Sequence, residues 1–180
     1  MPNYAFLTAS GKDRPGIVAA IAEILVASDC NIEDSQMARL GPNFASMLMI
    51  RMPEGLIGQR LAEQLQPAAD NLGLRIDLQD LRPEDASETR SDQPKHLIHV
   101  YGADRKGIVQ AICRHLADKS VNITNLQTEV IHHEKPLYVM MIEVEAPSFV
   151  DTGKLQDELA ALGKQIDVVV SMKPKADARF

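Results

Sequence analysis

Asp13 and Asp104 stand in two nearly identical stretches, GKDRPGIVAAI from Gly11 to Ile21 and GADRKGIVQAI from Gly102 to Ile112. Each acid lies between a glycine two residues before it and another three residues after it. A strand-to-helix loop of this kind places a carboxylate beside the free N–H groups and positive dipole end of a helix, which favour an anion. Backbone N–H groups there can take a carboxylate while the aspartate, or a carbonyl, takes an ammonium, a combination that describes a free amino acid. The spacing Gly11-x4-Gly16 is also that of a nucleotide P-loop. That loop must continue with Lys and Ser/Thr, whereas Ile17 and Val18 follow here and Ile108 and Val109 follow in the second stretch, which excludes an NTPase. A plainer reading stays open beside the ligand reading. Asp13 and Asp104 can cap the helix N-terminus, and Gly11, Gly16, Gly102 and Gly107 can serve turn geometry and close helix–sheet packing.

Asn31 and Asn122 pose the same choice. Each follows the first helix of its copy and opens a strand, where asparagine readily takes a left-handed turn conformation, the preferred reading from spacing. A buried asparagine there can instead hydrogen-bond a ligand with both ends of its amide. The remaining polar features carry less. His132 and His133 adjoin Glu134 in a turn, but neighbouring side chains on an extended segment point apart, so an exposed turn is expected rather than a metal site. His96, His99 and His115 have no paired nucleophile at a recognisable spacing. Cys30 and Cys113 follow no metal-ligand spacing and fit small apolar groups in a reduced protein. The methionines of SMLMIRM read as core filler.

The elements that must position these residues come in two copies. Gly11–Gln36 aligns without a gap on Gly102–Gln127, with identity at Gly11, Asp13, Arg14, Gly16, Ile17, Val18, Ala20, Ile21, Leu25, Asn31, Ile32 and Gln36. In each copy a short strand (YAFLTA, HLIHVY) runs to the glycine turn. A helix follows, with Ile17, Ile21, Ile24 and Leu25 on one face and Val109, Ile112, Cys113 and Leu116 in the second copy. Pro15 suits its first turn. Strands NIEDSQMARL and NITNLQTEVI, then FASMLMIRM and LYVMMIEVE, come next. A second helix spaces Ile57, Leu61, Leu65, Ala68 and Leu72 in copy one, and Leu155, Leu159 and Leu162 in copy two, with Gly73 and Gly163 expected to end it. LRIDLQDL and IDVVVSM are the final strands.

The order is βαββαβ, twice. The simplest compact form is an α+β, ferredoxin-like unit: a four-stranded antiparallel sheet with two helices on one face. The expected division is residues 1–81, a polar linker 82–95 with a proline near each end, residues 96–174 and a tail 175–180. Strands SMLMI, YVMMI and DVVVSM are apolar at both parities, which predicts that the second sheet face or edge is covered by the sister copy or another subunit.

Composition narrows the functions. The 180 residues are 45% hydrophobic and carry a formal net charge of −6 with no basic run, which disfavours direct nucleic-acid binding. No apolar stretch approaches membrane-spanning length, and MPNYAFLTAS lacks the pattern of a secretory signal. A cytoplasmic protein is the expectation.

The DR-x-G-I-V loop, the helix and the N-I that opens a strand, in a βαββαβ order, resemble the ACT domain, a regulatory amino-acid-binding module. Two such units with little else resemble the glycine cleavage system transcriptional repressor family. The resemblance covers nearly the whole chain. It implies side-by-side pairing, with an effector held at the interface by the first loop and the start of the second strand. By position the implied contacts are Gly11, Asp13, Arg14, Pro15, Gly16, Ile17, Asn31 and Ile32, with Gly102, Asp104, Arg105, Lys106, Gly107, Ile108, Asn122 and Ile123. Amino-acid-binding ACT domains often have an amide where Asp13 and Asp104 stand, and Lys106 replaces Pro15, so ligand preference and the two sites can differ. The resemblance thus implies a non-catalytic regulator without a cofactor, sensing glycine or serine. It would form a homodimer and act on transcription through a protein partner rather than by binding DNA. The competing reading is an assembly module without a small-molecule ligand. A third, the ACT portion of a formyltetrahydrofolate deformylase, is disfavoured because the sequence ends at MKPKADARF, directly after the second unit.

Overall fold

The computed structural model describes residues 3–82, 84–85, 93–131 and 136–175. Contacts divide the chain into two units, Met1–Arg90 and Ser91–Phe180. The first holds β1 (Asn3–Lys12), α1 (Ile17–Ala27), β2 (Asn31–Leu40), β3 (Asn43–Met52), α2 (Gly58–Leu72) and β4 (Leu74–Leu81). The second holds β5 (Lys95–Gly102), α3 (Ile108–Asp118), β6 (Asn122–Ile131), β7 (Leu137–Glu145), α4 (Thr152–Gln165) and β8 (Val168–Pro174). All the strand pairings are antiparallel, in the order β2-β3-β1-β4 and β6-β7-β5-β8. The α+β, ferredoxin-like fold expected from the sequence is the one observed. The His132–His133 turn, most of the linker and the end of the tail lie outside the described residues.

Alternation builds each core. Ala5, Leu7 and Ala9 of β1 are buried together with Leu48 and Ile50 of β3, Ile17, Ile21 and Leu25 of α1, and Leu61, Leu65 and Ala69 of α2. Ile98 and Val100, Met140 and Ile142, Ile112 and Leu116, and Leu155 and Leu159 do the same in the second unit. Two expected helix faces shift by one residue. Ile108 rather than Val109 enters the core of α3, and Ala69 rather than Ala68 enters that of α2, with Ile57 exposed at the N-cap.

The opposite sheet faces keep apolar residues in view, among them Met47 in the first unit and Met141 and Val169 in the second. The apolar residues of both parities seen in the sequence are therefore divided between a filled helix-side core and an open face. Cys30 and Cys113 are free and half-buried, and burial pushes both thiols up, which leaves them poor nucleophiles.

Glycines and turns explain much of the remaining identity. Gly73 closes α2 at φ 65, as expected. Gly163 does not close α4. It is a buried helical residue whose added Cβ would meet Val170 Cγ2 at 2.7 Å and the Val168 carbonyl at 2.8 Å, and the left-handed position falls on Asp167, φ 59, beyond the C-cap Ile166. Close approach of helix to strand fixes Gly163, not chain reversal.

One charged cluster distinguishes the second unit. Lys119 Nζ lies 2.6 Å from Glu158 Oε2, joining the end of α3 to α4, with His115 Nε2 at 3.2 Å. The Lys119 ammonium holds the Glu158 carboxyl below its ordinary 4.5. A depressed carboxyl contributes stability that is full above its unfolded value and is lost as pH falls through the lower folded value. Acid unfolding followed by circular dichroism should therefore begin at higher pH in Lys119→Met than in the parent chain.

Candidate functional site

The doubled loop begins where β1 and β5 end. An added Cβ at Gly11 would lie 2.8 Å from the Gly73 carbonyl and from Leu74 Cδ2, and one at Gly102 would lie 2.7 Å from Val168 Cγ1. The first glycine of the motif is thus needed where the strand passes the start of β4 or β8. The second glycine has another reason. Gly16 and Gly107 are both at φ 95, with open space where a side chain would project, so backbone conformation alone selects them.

These two glycines are the N-caps of α1 and α3, and neither helix has a side-chain capping hydrogen bond or an acidic residue in its first turn. The capping role considered for Asp13 and Asp104 is therefore not the one they play. Pro15 and Lys106 precede the cap instead of occupying the first helical turn. The N–H groups of Ile17 and Ile108, with those of the next two residues in each helix, point out of an uncapped end with its partial positive charge.

The rest of the loop is braced from outside. The Asp13 N–H donates to the Pro42 carbonyl at 2.9 Å, and Arg14 Nη2 donates to the Asn71 carbonyl, in the last turn of α2, at 2.9 Å. Arg105 Nη2 reaches Asp167, just beyond α4, at 2.6 Å. The arginine of each copy thus ties the loop to the C-terminal end of the second helix. The acids differ. Asp13 has Arg39 at 3.8 Å, whereas Val130 faces Tyr138 in the second unit where Arg39 faces Phe44 in the first. Burial, then the Asp104 carboxylate and Cys113, raises the Tyr138 phenol.

Asn31 and Asn122 open β2 and β6 in extended pairing with Arg51 and Glu145. They do not make the left-handed turn expected of them. Asp29 (φ 55) and Ser120 (φ 59) do, while the N–H groups of Cys30 and Val121 close the helices onto the carbonyls of Leu25 and Leu116. The Asn31 amide donates to Glu33 Oε1 at 2.9 Å, and Arg51 Nε meets the same oxygen at 2.6 Å, which lowers the Glu33 carboxyl. Both edge strands carry a register shift at the same place, Ile32/Asp34 and Ile123/Asn125, a feature no residue identity announced.

Within one unit, loop and asparagine lie far apart. Lys12 pairs with Asn43 at one end of β3 and Asn31 pairs with Arg51 near the other. Eight strand steps separate those rows, about 26 Å at the usual rise. The sequence-derived residues therefore fall into two separate groups, Gly11–Ile17 and Asn31–Ile32, repeated as Gly102–Ile108 and Asn122–Ile123. Strands β2 and β6 are sheet edges, and β2 is exposed along its whole length. Among the described residues no group of His, Cys, Asp and Glu could hold a metal ion, and no helix is long and apolar enough to cross a membrane.

Comparison with known proteins agrees with this architecture. The model of the ACT domain family matches residues 3–79 and again 96–173. The glycine cleavage system transcriptional repressor of Escherichia coli (strain K12) is 25% identical over 169 residues, covering 92% of this chain and 86% of its own. A crystal structure of an unknown protein from Galdieria sulphuraria superposes with TM-score 0.83 at 25% identity, over 98% of this chain and 100% of that one. A candidate glycine cleavage system transcriptional repressor shares the fold with TM-score 0.73 at 19% identity, over 98% and 99%. The chain belongs to the ACT domain family and carries that domain twice.

Proposed function

We propose that this chain is a non-catalytic amino-acid sensor that regulates glycine-cleavage transcription through a protein partner rather than by binding DNA. The observation that carries the sensing role is the uncapped helix N-terminus beside a non-capping aspartate, present in both units. The N–H groups of α1 or α3 receive the effector carboxylate, and Asp13 or Asp104 faces its ammonium. Arg39 competes for Asp13, so the second unit holds the ammonium more strongly. The transcriptional role rests on the description of the Escherichia coli relative and on the net charge of −6.

Taken as half-sites, the two groups imply how an effector acts. An antiparallel edge pairing of β2 with β2 of a second copy carries the start of one strand to the end of the other. Asn31 of that copy then closes the pocket over Gly11–Gly16, and Asn122 closes the other over Gly102–Gly107. Effector binding stabilises this paired state by its differential affinity and so changes the surface offered to the protein partner. Calorimetric titration with glycine and serine should give saturable heats. No heat from any common amino acid, with folded protein, contradicts the sensing role.

The exposed edge β2 also supports a second reading, assembly without effector, because its unpaired backbone is a template for strand addition. That reading expects Asp13→Ala and Asp104→Ala chains to pair normally and no amino acid to raise the Tm.

A further inference from the structure

A groove runs between α1 and β2 of the first unit, lined by Val18 and Ala22, Ile32 and Met37, and Phe44 and Ser46 of β3. Val18 lies in the first helical turn, two residues after the N-cap Gly16, so the groove is lined by a residue whose own N–H is among the uncapped ones. Its walls are mainly apolar, and Ser35, Gln36 and Ser46 are the polar residues that line it. Ser46 is 7% exposed, and its Oγ is shielded from solvent without a hydrogen-bond partner. The free space is about 60 Å³. A water-sized atom group needs roughly 15 Å³ on the same measure, so about four heavy atoms fit.

The second unit carries a larger residue at the corresponding position. Met140 faces Val100 as Ser46 faces Ala9, is fully buried, and accepts a hydrogen bond at its sulfur from the Tyr138 hydroxyl at 3.7 Å. A long side chain there occupies what Ser46 leaves empty.

We propose that the first-unit groove is a side-chain subsite for a short, mainly aliphatic amino-acid side chain bearing one hydrogen-bonding atom, with threonine the fitting common amino acid. The second unit is then confined to amino acids with little or no side chain. This inference rests on the amino-acid-binding reading above. With the carboxylate on the α1 N–H groups, the threonine methyl packs among Val18, Met37 and Phe44, and its hydroxyl pairs with Ser46 Oγ. A buried hydroxyl left unpaired discriminates against a ligand that cannot meet it. Valine, the same shape without the hydroxyl, is the natural comparison.

The test is calorimetry of the full chain with threonine, valine and glycine. Threonine should bind at least about tenfold tighter than either of the others. Ser46→Ala should bring threonine and valine within about threefold of each other. Ser46→Met, which places the second unit's own residue in the groove, should abolish the threonine preference and leave glycine binding intact. Ala22→Met should do the same from the helix side, and circular dichroism checks that both variants fold. Glycine binding without a threonine preference, or a preference that survives Ser46→Met and Ala22→Met, overturns the groove assignment and leaves the amino-acid site standing. Absence of binding by all three overturns both.

Discussion

Replacing Asn31 and Asn122 together by alanine weakens glycine or serine binding by about 10- to 100-fold while leaving the far-UV spectrum and thermal transition unchanged. Both side chains lie on exposed strand starts, and neither makes the left-handed turn that would tie it to folding. In the proposed pocket each contributes one hydrogen bond to a charged ligand group, typically worth about 1.5–3 kcal/mol. The loss should fall on affinity rather than on stoichiometry. Asn31→Ala alone also releases Glu33 from one of its two hydrogen-bond donors, so Arg51 becomes its remaining partner. Calorimetry of the single and double variants reads both effects. Undiminished binding in the double variant removes the asparagines from the site.

A second large effect concerns stability. Leu7→Ala should cost about 2–5 kcal/mol, because Leu7 is fully buried in the central strand between Leu48 and Leu78. A unit of this size is stabilised by only about 4–12 kcal/mol, so that loss is a large share. Amide exchange measured in β1, β3 and β4 should accelerate by about a hundredfold. Ile98, paired with Ile142 and Met172, is the equivalent residue of the second unit, and Ile98→Ala should act alike on β5, β7 and β8. Val26→Ala is the control, since Val26 is 75% exposed. Unchanged exchange in Leu7→Ala contradicts the assigned core.

The duplication made the fold legible, because two copies read together separate the strand and helix periods from local accident. The local geometry of the loops was less legible. Asp13 is a good capping residue by type, but Gly16 reaches φ 95 without strain and moves the cap three residues on, out of the reach of the carboxylate. The turn before Asn31 falls on Asp29 in one copy and Ser120 in the other, so no shared identity marked it. Gly163 looked like a helix end because the approach of β8 has no signature in the helix itself. The Ser46 groove was hidden by a longer connection in the second copy. Register pairs Ser46 with Ala9 and Met140 with Val100, so the two positions differ by three more residues than the repeat does. That the loop and the asparagine of one unit lie at opposite ends of the sheet follows only from the antiparallel register of β1 and β2 on β3.

Complementation in mixed dimers tests that division most directly. One chain carries Asp13→Ala and Asp104→Ala, and the other carries Asn31→Ala and Asn122→Ala. Each should bind glycine poorly alone. After the two are unfolded together and refolded in equal amounts, about a quarter of the sites should regain parental affinity, because an intact loop from one copy then meets an intact asparagine from the other. No recovery on mixing, with mixed dimers shown to form, contradicts a pocket shared between copies.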